Sequence, residues 1–579
     1  MVQQDAKISD VKFDTKPVGY FKDAFSRFKK NKSSVTAAII ILFLLLFAIF
    51  APIVSKYETT DIDGYYSKVL PKASAFEFLG WDGTQVEKDL GQMNYDKYMG
   101  IGLEKNSNSN NVPYNAVKKV VDSRIEIQTQ NGKQNEVMVY DLDLDSYNKV
   151  GFIYESLDIF EYCRLQAYQE QSNYQVFYPL PFYHVSSKDA NVWYHLTDKE
   201  YIPLLKAYDQ LQPFLNEFGT AKDGEYKVAY AGKTDKHFAK YYSSRIDGDD
   251  GKYRPTTPTL TKVLGNNVIT YTEGTEDTYY QYAQKNATGY ATRLLYKEYY
   301  KYKQTNWRLA DGVTREMVET AFANATTEED FEEIFKMFVF DLDTGFYAEF
   351  WFGTNQFGKD IFTLLGSGAR LSFILAIAVS VINLTIGAFY GAVEGYFGGT
   401  LDLVMERVSE ILSGVPFIVV ATLFNLHLAA KAGALGSLLF AFVLTGWIGM
   451  ASRVRMQFYR FKNQEYILSS RTLGAKDFRI MFRHIFPNAI GTIITGSILS
   501  IPGVIFSESS LSYLNIIDLK TSGLTSVGTL LSDGSGYIKD FPHILLFPVI
   551  FISLLMISFN LFGNGLRDAF NPSLRGADE

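Results

Sequence analysis

Residues 465–488, EYILSSRTLGAKDFRIMFRHIFPN, form a basic amphipathic segment between two apolar stretches of the chain. Eight Lys and Arg side chains lie between Arg453 and Arg483, and the acidic residues there are Glu465 and Asp477. Cytoplasmic loops of membrane proteins carry such an excess of basic residues. The segment is therefore predicted to lie in the cytoplasm, and it orients the rest of the chain.

Gly474 divides this segment into two short helical patterns. Side chains recur at intervals of three and four residues on both sides of the glycine, which is the period of a helix. They are Tyr466, Ile467, Ser470 and Leu473 before it, and Phe478, Met481, Phe482 and Ile485 after it. Glycine permits backbone angles and close approaches that other residues exclude. The two helices are predicted to form a compact knob that another protein binds.

Six stretches are long enough to cross a bilayer and contain no Asp, Glu, Lys or Arg. They are residues 35–54, 371–393, 411–430, 432–452, 489–507 and 544–566. The first follows a basic flank that ends at Lys32, and Ala51-Pro52 replaces the small-x-small cleavage site of a signal peptide. We therefore expect an uncleaved anchor. Six crossings place both termini in the cytoplasm.

Residues 55–350 contain no apolar run of that length and are rich in Tyr, Asp, Lys and Asn. Strand-like runs at 124–129 and 136–141 flank Asn131-Gly132, which predicts a β-hairpin. Helical periodicity is present at residues 152–169, 199–218 and 313–340. The high aromatic content indicates a folded α+β region rather than a disordered linker. Because the first span leads outward, this insert is predicted to be extracellular.

The predicted fold class is an α-helical polytopic membrane protein with an α+β insert. A cytoplasmic segment (1–34) precedes the first transmembrane helix (35–54), which leads into the insert (55–350). A five-helix core (351–566) contains the cytoplasmic loop at 453–488. A cytoplasmic tail (567–579) follows.

Several kinds of site are not predicted. The net charge of −7 gives no indication of nucleic-acid binding. The one cysteine, Cys163, excludes an internal disulfide and cannot hold a metal by itself. The acidic run at 141–145 lacks the glycine and the last glutamate of an EF-hand loop. No catalytic motif accompanies the histidines of the insert, His184, His195 and His237, and the chain has no Walker A loop.

The segment around Gly474 resembles the EAA loop of ABC-importer permeases. Ser469 and Ser470 occupy its two alanine positions, and Pro487 occupies its proline position. Leu468 replaces the glutamate of the pattern. The run RHIFPN at 483–488 resembles RHILPN of the dipeptide and oligopeptide branch. The resemblance assigns coupling to an ATPase to Ser469, Ser470, Gly474, Ala475, Asp477, Arg479, His484 and Pro487.

Other runs resemble the C-type permease subunit of that branch. They include WFGTNQFGKDIFTLLGSGARLSF at 351–373, EGYFGGTLDLVMER at 394–407 and NLFGNGLRDAFNP at 560–572. The resemblance implies the type I ABC importer fold with six transmembrane helices. The large insert is not part of the usual C-type pattern.

The resemblance also implies the function and the partners. Such a permease takes up oligopeptides or dipeptides, and a second, B-type permease completes the pore. Two ATP-binding subunits dock on the cytoplasmic loop and bind the ATP and magnesium, so this chain itself needs no cofactor or metal. An extracellular peptide-binding lipoprotein delivers the substrate, and membrane lipid surrounds the spans.

Some alternatives stay open at this stage. Small residues within the spans permit close helix packing or contact substrate directly; they are Gly387, Gly391, Gly446, Gly449 and Ser497. Asn383 and Glu508 line a substrate path or make local hydrogen bonds. The substrate is a peptide, or nickel or another small solute of the same family. A less favoured alternative is a surface binding or adhesion protein in which the insert is the functional part.

Overall fold

The computed structural model divides the chain into two compact units. One unit is Met1–Ile62 with Lys359–Glu579, and the other is Asp63–Gly358. The second unit starts and ends eight residues later than the predicted insert (63 against 55, 358 against 350). The structure describes residues 20–91, 94–95, 98, 116–130, 133–174, 176–178, 180–181, 229–230, 233–234, 263–264, 267–268, 280–281, 283–285, 290–325, 328–517, 519 and 523–570.

The described part of the first unit begins with helices α1, Tyr20–Lys30, and α2, Lys32–Val54. The Asn31 side chain accepts a hydrogen bond from the backbone N–H of Ser34 and so caps α2. Only a narrow stripe of α2 is buried, whereas large side chains such as Phe43 are exposed. A helix that is apolar all round is typical of a membrane span, which agrees with the predicted anchor.

Helix α2 contains Pro52, whose missing N–H leaves the carbonyl of Ala48 without its helical donor. Arg370 supplies a replacement from another helix. Its Nε donates to the Ala48 carbonyl at 3.2 Å, and its Nη2 donates to the Ile49 carbonyl at 2.7 Å. The arginine of the 351–373 run therefore ties the anchor to the rest of the membrane unit.

The second unit contains a three-stranded antiparallel sheet in the order β1-β3-β2. Its strands are β1, Thr84–Gly91; β2, Val117–Gln130; and β3, Lys133–Asp145. Strands β2 and β3 pair from Val117 with Leu144 to Gln130 with Lys133. This confirms the predicted hairpin, although Asn131-Gly132 lies outside the described residues.

A second sheet contains strand β4, Phe152–Leu157, at one edge, and β4 precedes helix α3, Ile159–Ser172. Short strands follow: β5 Phe177–Tyr178, β6 Leu180–Pro181, β7 Ala229–Tyr230, β8 Lys233–Thr234, β9 Val263–Leu264, β10 Asn267–Val268, β11 Tyr280–Gln281, β12 Ala283–Lys285 and β13 Tyr290–Leu295. The predicted helix over 152–169 is wrong for its first six residues. They pair with β13, a partner that local periodicity does not reveal.

The last part of the second unit alternates helices with strands. Its elements are α4 Tyr296–Gln304, β14 Asn306–Leu309, α5 Arg315–Asn324, α6 Glu328–Lys336 and β15 Phe338–Asp341. The single helical pattern predicted over 313–340 is therefore two helices and a strand, and β15 pairs with β14. The pattern predicted over 199–218 lies outside the described residues.

Aromatic side chains form much of the core of the second unit. Tyr66 is buried, and its ring centroid lies 5.0 Å from Tyr296 and 5.2 Å from Tyr300. Burial raises the pKa of the Tyr296 hydroxyl, which donates a hydrogen bond to Asp63. Among the described residues no group of three His, Cys, Asp or Glu side chains is placed to hold a metal ion. The acidic run is part of β3, where Asp141 accepts a hydrogen bond from Arg124.

The remaining elements belong to the membrane unit. They are α7 Ile361–Phe397, α8 Gly399–Ser413, α9 Phe417–Gly446, α10 Ile448–Phe461, α11 Glu465–Thr472, α12 Asp477–Arg479, a π-helical segment Ile480–Ile485, α13 Phe486–Ile498, α14 Ile501–Tyr513, α15 Val527–Ser535 and α16 His543–Phe570. Asp360 caps α7 by accepting from the backbone N–H groups of Phe362 and Thr363.

Five helical segments in the described residues are long and apolar enough to cross a membrane. They are Lys32–Val54, Ile361–Phe397, Phe417–Phe461, Asp477–Tyr513 and His543–Phe570. The third is a hairpin, because Gly433 has a non-helical backbone (φ 74°, ψ 165°). The rings of Phe417 and Phe442 are 4.7 Å apart, whereas 25 residues of straight helix would separate them by about 37 Å. The hairpin therefore gives six apolar helical arms.

Helix α7 packs closely on α10 along three glycines spaced four residues apart. A Cβ on Gly387 would lie 2.7 Å from the Trp447 carbonyl oxygen, and one on Gly395 would lie 2.7 Å from the Arg455 carbonyl oxygen. A Cβ on Gly391 would overlap the carbonyl of Ala451. Small residues that let backbones approach are typical of helix contacts in membranes.

The predicted packing role is also confirmed for Gly446, where a Cβ would overlap the Asn383 side chain. It is wrong for Gly449, where a Cβ would meet no heavy atom of the described residues within 4 Å. Glycine stands at both positions, but only Gly446 faces a neighbouring side chain. Apolar composition alone does not tell which face of a helix is in contact.

Candidate functional site

The loop after α10 turns at Gly474, which ends helix α11. Gly474 has φ +83°, the left-handed region that favours glycine, and its N–H donates to the Arg471 carbonyl at 3.0 Å. The N–H of Ala475 donates to the Ser470 carbonyl at 3.1 Å. This pair of bonds is the Schellman motif, which satisfies the last carbonyls of a helix. A Cβ at Gly474 would meet no atom of the described residues within 4 Å. Glycine is therefore favoured here by the left-handed backbone angle and not by a lack of space.

The chain then continues as one helical run from Asp477 into α13, with a π-helical segment at Ile480–Ile485. Pro487 stands in the first turn of α13 and has no N–H to donate to the Arg483 carbonyl. The N–H of Phe486 instead donates to the carbonyl of Met481, five residues back. The proline predicted to end the loop thus coincides with a local widening of the helix, which periodicity did not predict.

One face of the loop is fixed by burial. Ile467, Ile480 and Ile485 have no exposed surface, and they pack in one cluster with Val454 and Phe458 of α10. Burial of such side chains stabilises a packed structure by roughly 1.5–3 kcal/mol each. The knob is therefore a rigid extension of the membrane unit.

The opposite face of the loop exposes apolar side chains. Leu473 is 87% exposed and Phe478 is 68% exposed, and Leu468 is also exposed. The exposed Lys476 and Arg479 stand beside them. A rigid surface with apolar residues rimmed by charges is typical of a protein docking site.

Tyr396, near the end of α7, connects the two arms of the knob. Its hydroxyl donates to Asp477 Oδ1 at 2.5 Å and accepts from Arg471 Nη2 at 3.2 Å. Asp477 belongs to α12, and Arg471 belongs to α11. Movement of the knob would therefore be transmitted to α7 through these hydrogen bonds as well as through packing.

A second contact at the same end of the unit involves Arg455, for which the sequence predicts no role. Its guanidinium donates to Asp402 at 2.6 and 2.9 Å and to Glu406 at 2.8 and 3.0 Å. Hydrogen bonding to Arg455 holds the pKa of Asp402 below its usual range. Asp402 and Glu406 are four residues apart on α8 and so share a face. That spacing in the sequence indicates an acidic face on α8, although it does not identify Arg455 as the partner.

The remaining predicted coupling residues lie on the same knob. Ser469 is exposed, and the Ser470 hydroxyl donates to the Tyr466 carbonyl at 2.8 Å. The half-buried His484 offers its carbonyl to the side-chain amide of Asn488 at 2.7 Å. The structure thus places all eight predicted residues on one surface feature, and their role in coupling stays a prediction.

The two predicted path residues are buried and apart from the knob. Glu508 is 1% exposed and accepts hydrogen bonds from the hydroxyls of Ser372 at 3.1 Å and Ser512 at 3.0 Å. The local hydrogen-bonding alternative therefore describes Glu508 in this structure. Asn383 donates weakly to the Phe442 carbonyl at 3.5 Å, and its Oδ1 has no hydrogen-bond partner among the described residues. Substrate contact by either residue stays a prediction.

Comparison with known proteins identifies the relatives of this chain. Residues 383–576 match the family model for the binding-protein-dependent transport system inner membrane component. Residues 19–71 match the N-terminal TM domain of oligopeptide transport permease C. These two matches leave residues 72–382 outside them.

Individual relatives agree with the family models. The oligopeptide transport system permease protein OppC of Bacillus subtilis is 43% identical over 225 residues, which are 39% of this chain and 72% of the relative. The dipeptide transport system permease protein DppC of the same organism is 41% identical over 39% of this chain and 70% of its own length. OppC of Escherichia coli is 34% identical over 41% and 75%.

Among solved structures, the chain is similar to the MetNI methionine ABC transporter in inward-facing conformations. That match has 14% identity and a TM-score of 0.31, and it covers 36% of this chain and 96% of the other. The family assignment rests on the sequence relatives and on the motifs that the structure brings together around the knob. The chain belongs to the binding-protein-dependent transport system inner membrane components, as a C-type permease of an ABC importer.

Proposed function

We propose that this chain is the C-type permease of an ATP-driven importer of oligopeptides or dipeptides. One observation carries the proposal: the relatives with 43% and 41% identity are named as oligopeptide and dipeptide permeases. ATP and magnesium are bound by separate ATP-binding subunits, and this chain contributes no ATPase site and no cofactor. A second, B-type permease completes the pore, and an extracellular lipoprotein delivers the peptide.

The knob around Gly474 is the proposed docking element for an ATP-binding subunit. Its buried face is fixed to α10, so force applied to the knob reaches the membrane helices. Its outer face offers the exposed side chains of Leu473 and Phe478. A docked subunit would remove these apolar groups from water, which favours association.

A charged residue at this outer face is expected to break the docking. The variants Leu473→Asp and Phe478→Asp should each reduce recovery of the ATP-binding subunits with the purified complex by at least about tenfold, because a buried unpaired carboxylate is costly. Labelled-oligopeptide uptake should fall in parallel. The matched control is Phe78→Asp, which changes an 81% exposed phenylalanine of the second unit.

Recovery and uptake assays on the knob variants test the docking surface, and uptake assays on the wild-type complex test the substrate. Full recovery of the ATP-binding subunits and full uptake in both knob variants would contradict docking at Leu473 and Phe478. Uptake of nickel, without uptake of peptide, by the wild-type complex would favour the small-solute alternative. Failure to recover ATP-binding subunits with the wild-type protein, together with uptake of neither substrate, would direct attention to the adhesion alternative.

The proposed orientation has both termini and the knob in the cytoplasm and the insert outside. Asp311 of the second unit and Leu473 of the knob have highly exposed side chains, so cysteines at these positions should be reactive. The natural Cys163 is buried and contributes little background. In intact cells, a membrane-impermeant maleimide should label Asp311→Cys and not Leu473→Cys.

The labelling experiment has a built-in control. Opening the membrane with detergent, under conditions that also release the docked ATP-binding subunits, should make Leu473→Cys as reactive as Asp311→Cys, because both side chains are exposed in the free chain. Labelling of Leu473→Cys in intact cells, with protection of Asp311→Cys, would reverse the proposed orientation. Such a result would also place the knob on the wrong side to meet ATP-binding subunits.

A further inference from the structure

A cavity of about 340 Å³ that is open to the surface lies at the basic end of the membrane unit, and the arginines that line it are exposed. Its walls come from three of the apolar helical segments, Phe417–Phe461, Asp477–Tyr513 and His543–Phe570. Arg453 and Arg460 of α10 and Arg567 of α16 line it. A cleft lined by charges of one sign focuses the electric field and raises the local concentration of ions of opposite charge.

None of these three arginines has a carboxylate within ion-pair distance among the described residues. Arg453 Nη1 donates to the Gly496 carbonyl at 3.0 Å, and the Arg460 guanidinium lies 5.6 Å from the ring of its neighbour Phe461. Arg455 on the same helix behaves differently, since it is paired with two carboxylates of α8. The cavity side of α10 therefore carries positive charge that the described protein does not neutralise.

The rest of the lining suits the head of an amphipathic molecule. Thr492 lines the cavity, and Leu499 and Phe570 provide apolar walls. A volume of about 340 Å³ is at the lower end of the range for ligand cavities, which fits a head group better than a peptide. Basic pockets between membrane helices on the cytoplasmic side bind phospholipid head groups in other proteins.

We propose that this cavity is a binding site for a phosphate-bearing anion. The planar guanidinium groups of Arg453 and Arg567 bind the phosphate oxygens, for which their paired donors are well matched. Arg460 adds positive charge, and the Thr492 hydroxyl donates a further hydrogen bond. The phosphate belongs either to an anionic phospholipid of the surrounding leaflet or to a soluble ion.

The test uses the purified intact importer and two probes, phosphatidylglycerol and inorganic phosphate. Binding of each is measured by native mass spectrometry and by radiolabel retention, with zwitterionic phosphatidylcholine for comparison. Arg567→Gln should weaken binding of the retained probe roughly tenfold, because a charge-assisted hydrogen bond is lost. The double variant Arg453→Gln/Arg567→Gln should weaken it by about a hundredfold if the two effects add.

The matched control is Arg407→Gln, which changes an exposed arginine of α8 that is paired with Glu410 and does not line the cavity. It should bind both probes as the wild type does. If the double variant fails to assemble, the single variant Arg567→Gln is used by itself. The Arg567 side chain has no partner among the described residues, so its replacement removes no interaction within the described part of the chain. Its thermal unfolding curve checks that the variant is folded.

The two probes distinguish the source of the phosphate. Arginine-dependent retention of phosphatidylglycerol that millimolar phosphate does not displace assigns the site to a lipid. Arginine-dependent binding of inorganic phosphate assigns it to a soluble ion. Binding of both probes that is unchanged in Arg567→Gln and in the double variant, or no binding of either probe, would overturn the proposal.

Discussion

Replacement of Gly391 by alanine is expected to prevent normal assembly of the membrane unit. The added Cβ would overlap the carbonyl of Ala451 on α10, and a backbone atom cannot move aside as a flexible side chain can. Overpacking of a core costs about 1–3 kcal/mol, and more where backbones must separate. Alanine is favoured over glycine in a helix by about 1 kcal/mol, which is too little to compensate for that separation.

The measurement is the thermal midpoint of the purified complex, together with the amount recovered from membranes. We expect the midpoint to fall by at least about 5 °C, given a loss of several kcal/mol in a unit of this size. Gly449→Ala is the matched control, because it adds the same methyl group to the facing helix where no atom lies within 4 Å. It should leave the midpoint unchanged or raise it slightly. Equal behaviour of the two variants would show that α7 and α10 do not pack as described.

The contrast between these two glycines shows what the sequence can and cannot predict. Both stand in apolar stretches, so composition assigns both to membrane helices. Which one lies at a contact depends on the rotation of α10 against α7, and that rotation is set by packing between distant parts of the chain. The same limit applies to β4, where the first six residues of a predicted helix pair with β13.

The knob was predicted more completely because its main determinant is local. A glycine between two short helical patterns is a direct sign of a left-handed helix end, and the structure has the Schellman motif at Gly474. The contact of Tyr396 with Asp477 and that of Arg455 with Asp402 join residues 81 and 53 positions apart. No periodicity links such positions, so neither the hydrogen bond that joins the knob to α7 nor the ion pair that joins α10 to α8 could be predicted.

The second prediction concerns that helix end: Gly474→Val is expected to abolish recovery of ATP-binding subunits with the complex and to abolish peptide uptake. A Cβ at Gly474 meets no atom, so the effect arises from the backbone angle of φ +83° alone. A left-handed conformation costs an L-residue about 1–2 kcal/mol, and a β-branched side chain is a still stronger outlier there. Relief of this strain would rotate Leu473 away from Phe478 and divide the docking surface.

A graded series separates strain from bulk. Gly474→Asn should retain most of the docking and uptake, because asparagine enters the left-handed region more readily than other residues. Gly474→Ala should be intermediate, whereas Gly449→Ala, which adds the same methyl group in a helix, should behave as the wild type. The order Asn, Ala, Val does not follow side-chain volume, since asparagine is larger than alanine. Recovery that instead fell with side-chain size would mean that a partner surface, not the backbone angle, selects glycine at this position.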